Sequence, residues 1–300
     1  MRQQGNILII DNASKDGTLR IIEKLFPEVR IIRLAKNIGF GRANNIGIKC
    51  AYEKGAEYFF LLNQDAYIAC DSLLKLVTLQ KDNPHYGILS PLHLDDTTKQ
   101  LDHKFATYIG KTADKDHLLS DFLVTGKSKE VYNVDFINAA IWLLSRKCIE
   151  KVGLFNPSFE HYGEDKDYIE RTKYHGFEVG LAIKIFAIHN RLQIKDSKIE
   201  NDVNKFIQKS KAEIVYRLSR FKPNNLFNFF SSISFILLSK LPPKLKFYEK
   251  IYLRSRLLLF IFINIYTIFR NRKVSIKGTL CFFEQTILIE NEEKTGWAKL

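Results

Sequence analysis

The chain predicts an α/β fold, a mostly parallel sheet flanked by helices, followed by a basic, largely helical C-terminal region. Three observations carry this. Short apolar runs alternate with segments of helical spacing over the first two-thirds of the chain, as strand–helix–strand units with right-handed crossovers require. Acidic groups recur just past the ends of those runs, where open parallel sheets bind their ligands. Charge is uneven: residues 1–190 hold 25 Lys/Arg and 24 Asp/Glu, residues 191–300 hold 21 and 9, so nearly all of the net +13 lies in the last third.

In chain order, Ile7–Ile10 is a continuous apolar run, expected of a strand buried on both faces. Asp16-Gly17-Thr18 breaks it, and Thr18–Leu25 has helical spacing. Val29–Leu34 reads as a second strand, Asn37–Gly41 as a loop, Arg42–Lys54 as a helix and Tyr58–Leu62 as a third strand. Cys70–Lys81 is a further helix and Gly87–Ser90 a further strand. Residues 93–130 are polar and aperiodic, long for a passive loop and therefore a candidate functional segment. Ala139–Ser145 reads as a strand, Arg146–Val152 as a short helix, Gly153–Tyr162 as a loop and Glu164–His175 as a helix. Val179–Ile188 holds one or two strands ending at His189. Beyond Arg191 the chain turns Lys-rich and aromatic, with a Pro242-Pro243 break.

The 300 residues and 46% apolar content suit a globular protein of one large or two modest domains. Cys50, Cys70, Cys148 and Cys281 are too far apart for a metal-knuckle pair, and nothing suggests a disulfide framework, so a reducing compartment is expected. The residues after Met1 lack the pattern of a secretory signal peptide. The apolar runs Leu226–Leu238 and Leu257–Phe269 are short of the roughly 20 residues that cross a bilayer.

The densest chemical signal is His161–Tyr168, in which Glu164, Asp165 and Asp167 fall within four positions at a helix start. A helix N-terminus favours negative charge, and an acidic first turn alone is common. Asp11-Asn12-Ala13-Ser14 and Asn63-Gln64-Asp65 follow strands, as does His189. Together these groups point to one polyvalent site at the carboxyl ends of the strands.

The stretches ILIIDNASKDGT, NIGFGRANNIG, LLNQDA and FINAAIWLLSRKCIEKVGLFNPSFEHYGEDKDYIERTKYHGFEVG span about residues 5–190 in order. They resemble family 2 glycosyltransferases of the GT-A fold, in particular bacterial rhamnosyltransferase-type enzymes of surface-polysaccharide assembly. The resemblance implies inverting transfer of a sugar from a nucleotide-sugar donor, dTDP-rhamnose or a UDP-hexose, to a hydroxyl of a glycan or lipid-linked acceptor. It implies a divalent cation, Mg2+ or Mn2+, held by Asp65 and His189 against the diphosphate. Asp165 matches the catalytic base, and Glu164 would orient the acceptor or support Asp165, although the two are exchangeable in role. Asp167 reads as a first-turn residue. Asp11 matches the nucleobase-binding residue, with Asn12 beside it, and also makes good Asx-turn chemistry. Asn37, Gly39, Asn44, Asn45 and Asp65 complete the expected donor side. Trp142 is the expected acceptor-side aromatic, with an inward core position as the competing reading.

One departure stands out. Six residues precede Ile7, where the resemblance implies a further strand and helix, and Arg2-Gln3-Gln4 reads as the end of that helix; a start site placed too late, a truncated gene product and a chain completed by another polypeptide are the competing explanations. A non-catalytic truncated remnant or scaffold with a membrane-facing tail is the alternative reading. The expected division is a transferase domain over 1–195 and a basic, aromatic-rich helical region over 196–300. Lys240, Lys244, Lys246, Lys250, Arg254 and Arg256 beside apolar stripes suit peripheral membrane contact, placing the protein at the inner face of a cell membrane, or a helical subdomain packed on the core. With no recognisable module, nucleic acid is not an expected partner.

Overall fold

The computed structural model describes residues 6–112, 116–190, 199–222, 224–243 and 245–286. Arg2-Gln3-Gln4, Lys244 and residues 287–300 of the tail lie outside the described residues. The chain opens with β1 (Leu8–Asp11), α1 (Thr18–Leu25) and β2 (Arg30–Arg33), and β1 and β2 pair in parallel from Leu8↔Arg30 to Asp11↔Arg33. Then follow α2 (Phe40–Glu53), β3 (Tyr58–Leu62), β4 (Ala66–Ile68), α3 (Ser72–Asp82) and β5 (Tyr86–Leu94).

Residues 93–130 are not a bare loop. They carry α4 (His103–Thr112), the short α5 (Leu118–Ser120) and a π-helical turn at Asp121–Thr125, before β6 (Val131–Asn133). Phe105, Ile109 and Leu118 anchor this segment in the main core. Next come β7 (Ile141–Ser145), α6 (Arg146–Val152), α7 (Glu164–Tyr174) and β8 (Glu178–His189). Ser145 caps α6 by accepting from the Cys148 N–H at 3.2 Å.

The expected α/β class holds, but the sheet is mixed rather than mostly parallel. β3, β7, β5, β8 and β4 line up in that order, with β6 also on β8. Among the described residues, β5–β8 and the separate β1–β2 pair are parallel, and β3–β7, β5–β7, β4–β8 and β6–β8 are antiparallel. The physical reason is that a strand buried on both faces gives a continuous apolar run whichever way its neighbours point. The run Ile141–Leu144 is fully buried between β3 and β5. Nothing in its composition encodes its direction.

The main core joins β3, β5, β7 and β8 to α6 and α7 through Phe59, Ile88, Trp142, Leu144, Phe155 and Tyr168. Inside it sits one charged pair. Arg171 is buried, and its Nε donates to Asp167 Oδ2 at 2.8 Å. Its other nitrogens donate to the Val152 and Leu154 carbonyls, each at 2.9 Å.

The tail forms α8 (Ile199–Ser219), α9 (Asn225–Leu238) and α10 (Phe247–Lys277), which pack around Ile214, Val215, Leu218, Ile236, Leu257 and Ile261. Asn224 caps α9 through the Phe227 N–H at 2.9 Å. Phe159 of the α/β unit joins this cluster. Conversely, Cys281 and Phe282, beyond α10, are buried in the main core. The run Leu257–Phe269, read as an isolated short segment, is the middle of a continuous 31-residue helix. Arg254 and Arg256 fail to end it because arginine is a good helix former. By length and composition α10 alone among the described residues could cross a membrane.

Replacing Asp167 by Ala strands the Arg171 guanidinium in the core. Breaking one side of such a pair costs about 3–5 kcal/mol. Urea denaturation of Asp167→Ala should show a loss of that size; a loss under about 1 kcal/mol would mean the pair is not buried in solution.

Candidate active site

Five loop segments and the end of β8 are linked through a chain of contacts. At the end of β1, Asp11 is buried, and its Oδ1 accepts from the Ser14 N–H at 3.2 Å, the expected Asx-turn. Ala13 within this turn has φ of 64°, a left-handed conformation uncommon for a residue with a Cβ. Asn12 binds the next loop at two points. Its Nδ2 donates to Asn37 Oδ1 at 3.1 Å, and its Oδ1 accepts from the Ile38 N–H at 2.9 Å. Asn37 Oδ1 also takes the Gly39 N–H at 3.0 Å.

Gly39 and Gly41 then let this loop lie against the segment that leads into α7. Gly39 has φ of +90°, and a Cβ there would overlap the Glu160 carbonyl. A Cβ on Gly41 would stand 3.5 Å from Glu164 Cβ and Cγ. Arg42 adds a bond from its Nε to the Pro157 carbonyl at 3.0 Å. Just before α7, Tyr162 and Gly163 both take positive φ, 66° and 86°. That double left-handed turn carries the chain into the helix start, where the free N–H groups and the helix dipole favour anions.

At that start Glu164 is 7% exposed, and its Oε2 has no hydrogen-bond partner. Burial pushes its carboxyl up to about 7, with the charges of Asp165 and Asp167 adding to the effect. Asp165 is half-buried. Burial raises it too, while the backbone N–H groups of Lys166 (2.8 Å) and Ala139 favour its charged form. The next residue, Ala140, accepts from the Asn63 N–H at 2.9 Å, which brings in the loop holding Asp65.

Asp65 and His189 are set side by side by the β4–β8 pairing. Ala66 is in register with His189, and the Asn190 N–H donates to the Asp65 carbonyl at 2.8 Å. Asp65 Oδ1 is 3.4 Å from His189 Nε2 and makes no hydrogen bond. An orphaned carboxylate oxygen beside an imidazole nitrogen fits a divalent cation. Among the described residues no group of three or more His, Cys, Asp and Glu gathers to hold a metal. Substrate oxygens and water would suit its remaining coordination positions.

Two expected residues belong elsewhere. Asn45 was expected at the donor, but it is buried and both ends of its amide engage the Phe155 backbone at 2.8 Å. It ties α2 to the loop before α7. Trp142 was expected at the acceptor, but it is fully buried in β7. Its ring stacks on Phe155 at 6.1 Å and tilts against Tyr168 at 5.9 Å. Asn44 is half-buried, and its Nδ2 donates back to the Phe40 carbonyl at 3.0 Å.

The sequence reading missed His93. It is fully buried, 5.9 Å edge-on from His189, and its Nε2 is 3.0 Å from Ser90 Oγ. Ser90 Oγ donates to the Ile141 carbonyl at 2.8 Å, so the serine accepts from His93 Nε2–H. The one available signal was a histidine at the end of an extended strand.

With the site's geometry assembled, the comparisons with known proteins fall into place. The model of the family described as "Glycosyl transferase family 2" matches residues 2–153, half of the chain. The chain belongs to glycosyl transferase family 2. Over 185 residues it is 24% identical to the low-salt glycan biosynthesis hexosyltransferase Agl10 of Haloferax volcanii, covering 61% of this chain and 58% of that protein. Over 89 residues it is 32% identical to the dTDP-rhamnosyl transferase RfbF of Shigella flexneri, covering 30% of this chain and 29% of RfbF. The match thus spans 58% and 29% of the lengths of these curated relatives. Among solved structures, GalNAc-T7 with UDP, GalNAc and Mn2+ superposes with a TM-score of 0.48 at 14% identity, covering 88% of this chain and 51% of that one. TarS 1-349 of S. aureus in complex with UDP gives 0.45 at 12%, covering 93% and 81%. The family 2 member described here has the helix-flanked α/β architecture that its resemblance to GT-A enzymes implied.

The state of Glu164 gives a pH signature. The folded chain keeps a proton that the unfolded chain releases above its ordinary value of 4.5, so stability falls as pH rises from about 4.5 to about 7 and is level beyond. Glu164→Gln removes this dependence. At pH 8 it should be more stable than the parent by up to about 3 kcal/mol, and at pH 4 equal to it. A difference independent of pH in denaturation series would show that Glu164 ionises freely.

Proposed function

We propose that this protein is an inverting glycosyltransferase that moves a sugar from a nucleotide-activated donor to an acceptor hydroxyl in glycan biosynthesis. The observation that carries the reading is the series of contacts from Asn12, beside Asp11, through Asn37, Gly39, Gly41 and Glu164–Asp165 to Ala139–Ala140, Asn63, Asp65 and His189. That series links the acid proposed for the nucleoside side, the acid proposed for the cation and the pair of acids at the start of α7.

The chemistry follows from those positions. The Asp165 carboxylate takes the proton of the acceptor hydroxyl as its oxygen bonds to the anomeric carbon. The bond from that carbon to the diphosphate breaks on the opposite face, which inverts the centre and releases the nucleoside diphosphate. Glu164, pushed up to about 7, keeps its proton for much of the time at neutral pH and can donate a hydrogen bond to the acceptor. Asp11 with Asn12 and Asn37 shapes the nucleoside side. Asp65 and His189 would hold the divalent cation, Mg2+ or Mn2+, whose charge offsets that developing on the diphosphate.

The names of the relatives support a hexose or deoxyhexose donor: Agl10 is a hexosyltransferase and RfbF a dTDP-rhamnosyl transferase. dTDP-rhamnose or a UDP-hexose is accordingly the donor, and a glycan or lipid-linked sugar the acceptor. Residues 1–195 carry the transfer chemistry, and the basic region 196–300 keeps the protein at the inner face of a membrane.

Asp165→Asn should lower transfer by roughly 10²–10⁴-fold, the contribution of a positioned general base. Calorimetric binding of UDP or dTDP should change little. Full turnover in that variant would remove Asp165 from the mechanism. Asp65→Ala should instead weaken Mn2+-supported nucleotide binding by more than roughly tenfold, since even residues that only orient a metal ligand matter that much. Unchanged binding with Mn2+ would take Asp65 off the cation.

A further inference from the structure

Helix α10 has two faces of different fate. Leu253, Leu257, Ile261 and Ile268 are buried on one side. Opposite them Leu259, Phe262, Ile263 and Tyr266 stand in the open, the last three at 66%, 68% and 75% exposure. These residues recur at helical spacing and form one stripe. On α9, Phe227, Phe230 and Leu237 repeat the arrangement. No charged residue interrupts Leu257–Phe269, and the exposed cations Arg256, Arg270 and Lys273 bracket it. Across residues 222–277 the sequence holds eleven Lys/Arg and one acid, Glu249.

We propose that α10, with α9 beside it, docks in the plane of an anionic bilayer surface through this aromatic stripe. Apolar side chains on one side and cations at its margins are what an interfacial helix needs, the cations matching lipid headgroup phosphates. At about 46 Å the helix is long enough to span a hydrocarbon core of about 30 Å. Its packing favours lying flat. The inner face closes on Ile214 and Val215 of α8 and Ile236 of α9, and Asn271 Nδ2 donates to Ser158 Oγ at 2.8 Å in the loop before α7. Crossing the bilayer would strip those contacts.

The inference deepens the transferase reading and rests on it for one point, where the acceptor is met. Phe260 of α10 lines a cleft with Ser158, Phe159, Glu160, His161 and Lys211. The same helix thus runs from the docking stripe to the loop that ends at Glu164. A bilayer-anchored acceptor could reach the carboxylates along it without leaving the membrane.

Flotation of the full chain with vesicles tests this. The chain should float with phosphatidylcholine vesicles containing roughly a third phosphatidylglycerol and much less with phosphatidylcholine alone, and added salt should weaken the binding. The double variant Phe262→Asp/Ile263→Asp, at two exposed positions that leave the core intact, should lose about tenfold or more in partitioning. Circular dichroism and UDP calorimetry should match the parent. No flotation, or equal flotation of parent and variant, would overturn the proposal. So would a parent dimer in sedimentation that the variant loses, since the stripe would then be a self-interface. Vesicle binding without nucleotide binding would keep the docking face and remove the transferase reading.

Discussion

Arg171 holds the start of α7 in place. This guanidinium reaches back along its own helix to Asp167 and across to the Val152 and Leu154 carbonyls at the end of α6, and all three bonds lie out of water. Its plane passes near the rings of Tyr168 and Phe282. A buried cation is tolerated only when each of its donors is matched. That demand leaves α7 little freedom to rotate or slide. Glu164 and Asp165, in the same first turn as Asp167, take their positions from it. Phe282 arrives from the end of the helical tail, so the region that carries the docking stripe also packs around this cation.

The rim of the site is built from small residues and side-chain amides bonded to backbone. Gly39 and Gly41 let one loop press on another with no side chain between them. Asn12 and Asn45 act as braces between segments far apart in sequence, the first joining two loops and the second joining α2 to the loop before α7. Loops tied in this way can hold acids close together without a continuous sheet beneath them. The electrostatics of the acid pair follow from the same packing. Burial raises both acids: Glu164, against Gly41 in a dry position, is pushed up to about 7, while backbone N–H groups, those of Lys166 and Ala139 among them, counter the rise at Asp165.

Much of this was legible in the residues. The strand–helix alternation located most elements to within a few residues, because period and turn chemistry are local properties. The acids at strand ends and at the start of α7 were legible for the same reason, since each sits beside a strong boundary signal. Asn45 and Trp142 were misplaced. An asparagine in a helix and a tryptophan in a strand look alike whether they face a ligand or the core, and only the partner across the fold tells them apart. For Asn45 that partner is Phe155, 110 positions away. His93 escaped notice because its neighbour His189 comes beside it only through the pairing of β5 with β8.

By itself, then, the amino-acid order determined the α/β class, the boundaries of most elements, the acidic start of α7 and the charge surplus of the tail, all of which depend on residues within a turn or two of each other. Tertiary structure decided the strand directions, the burial of Arg171, the contact of Asp65 with His189 and the opposite faces of α10. Each of these depends on which distant segments share a surface. Close packing and the desolvation of charged groups select that arrangement, and both act through space rather than along the chain.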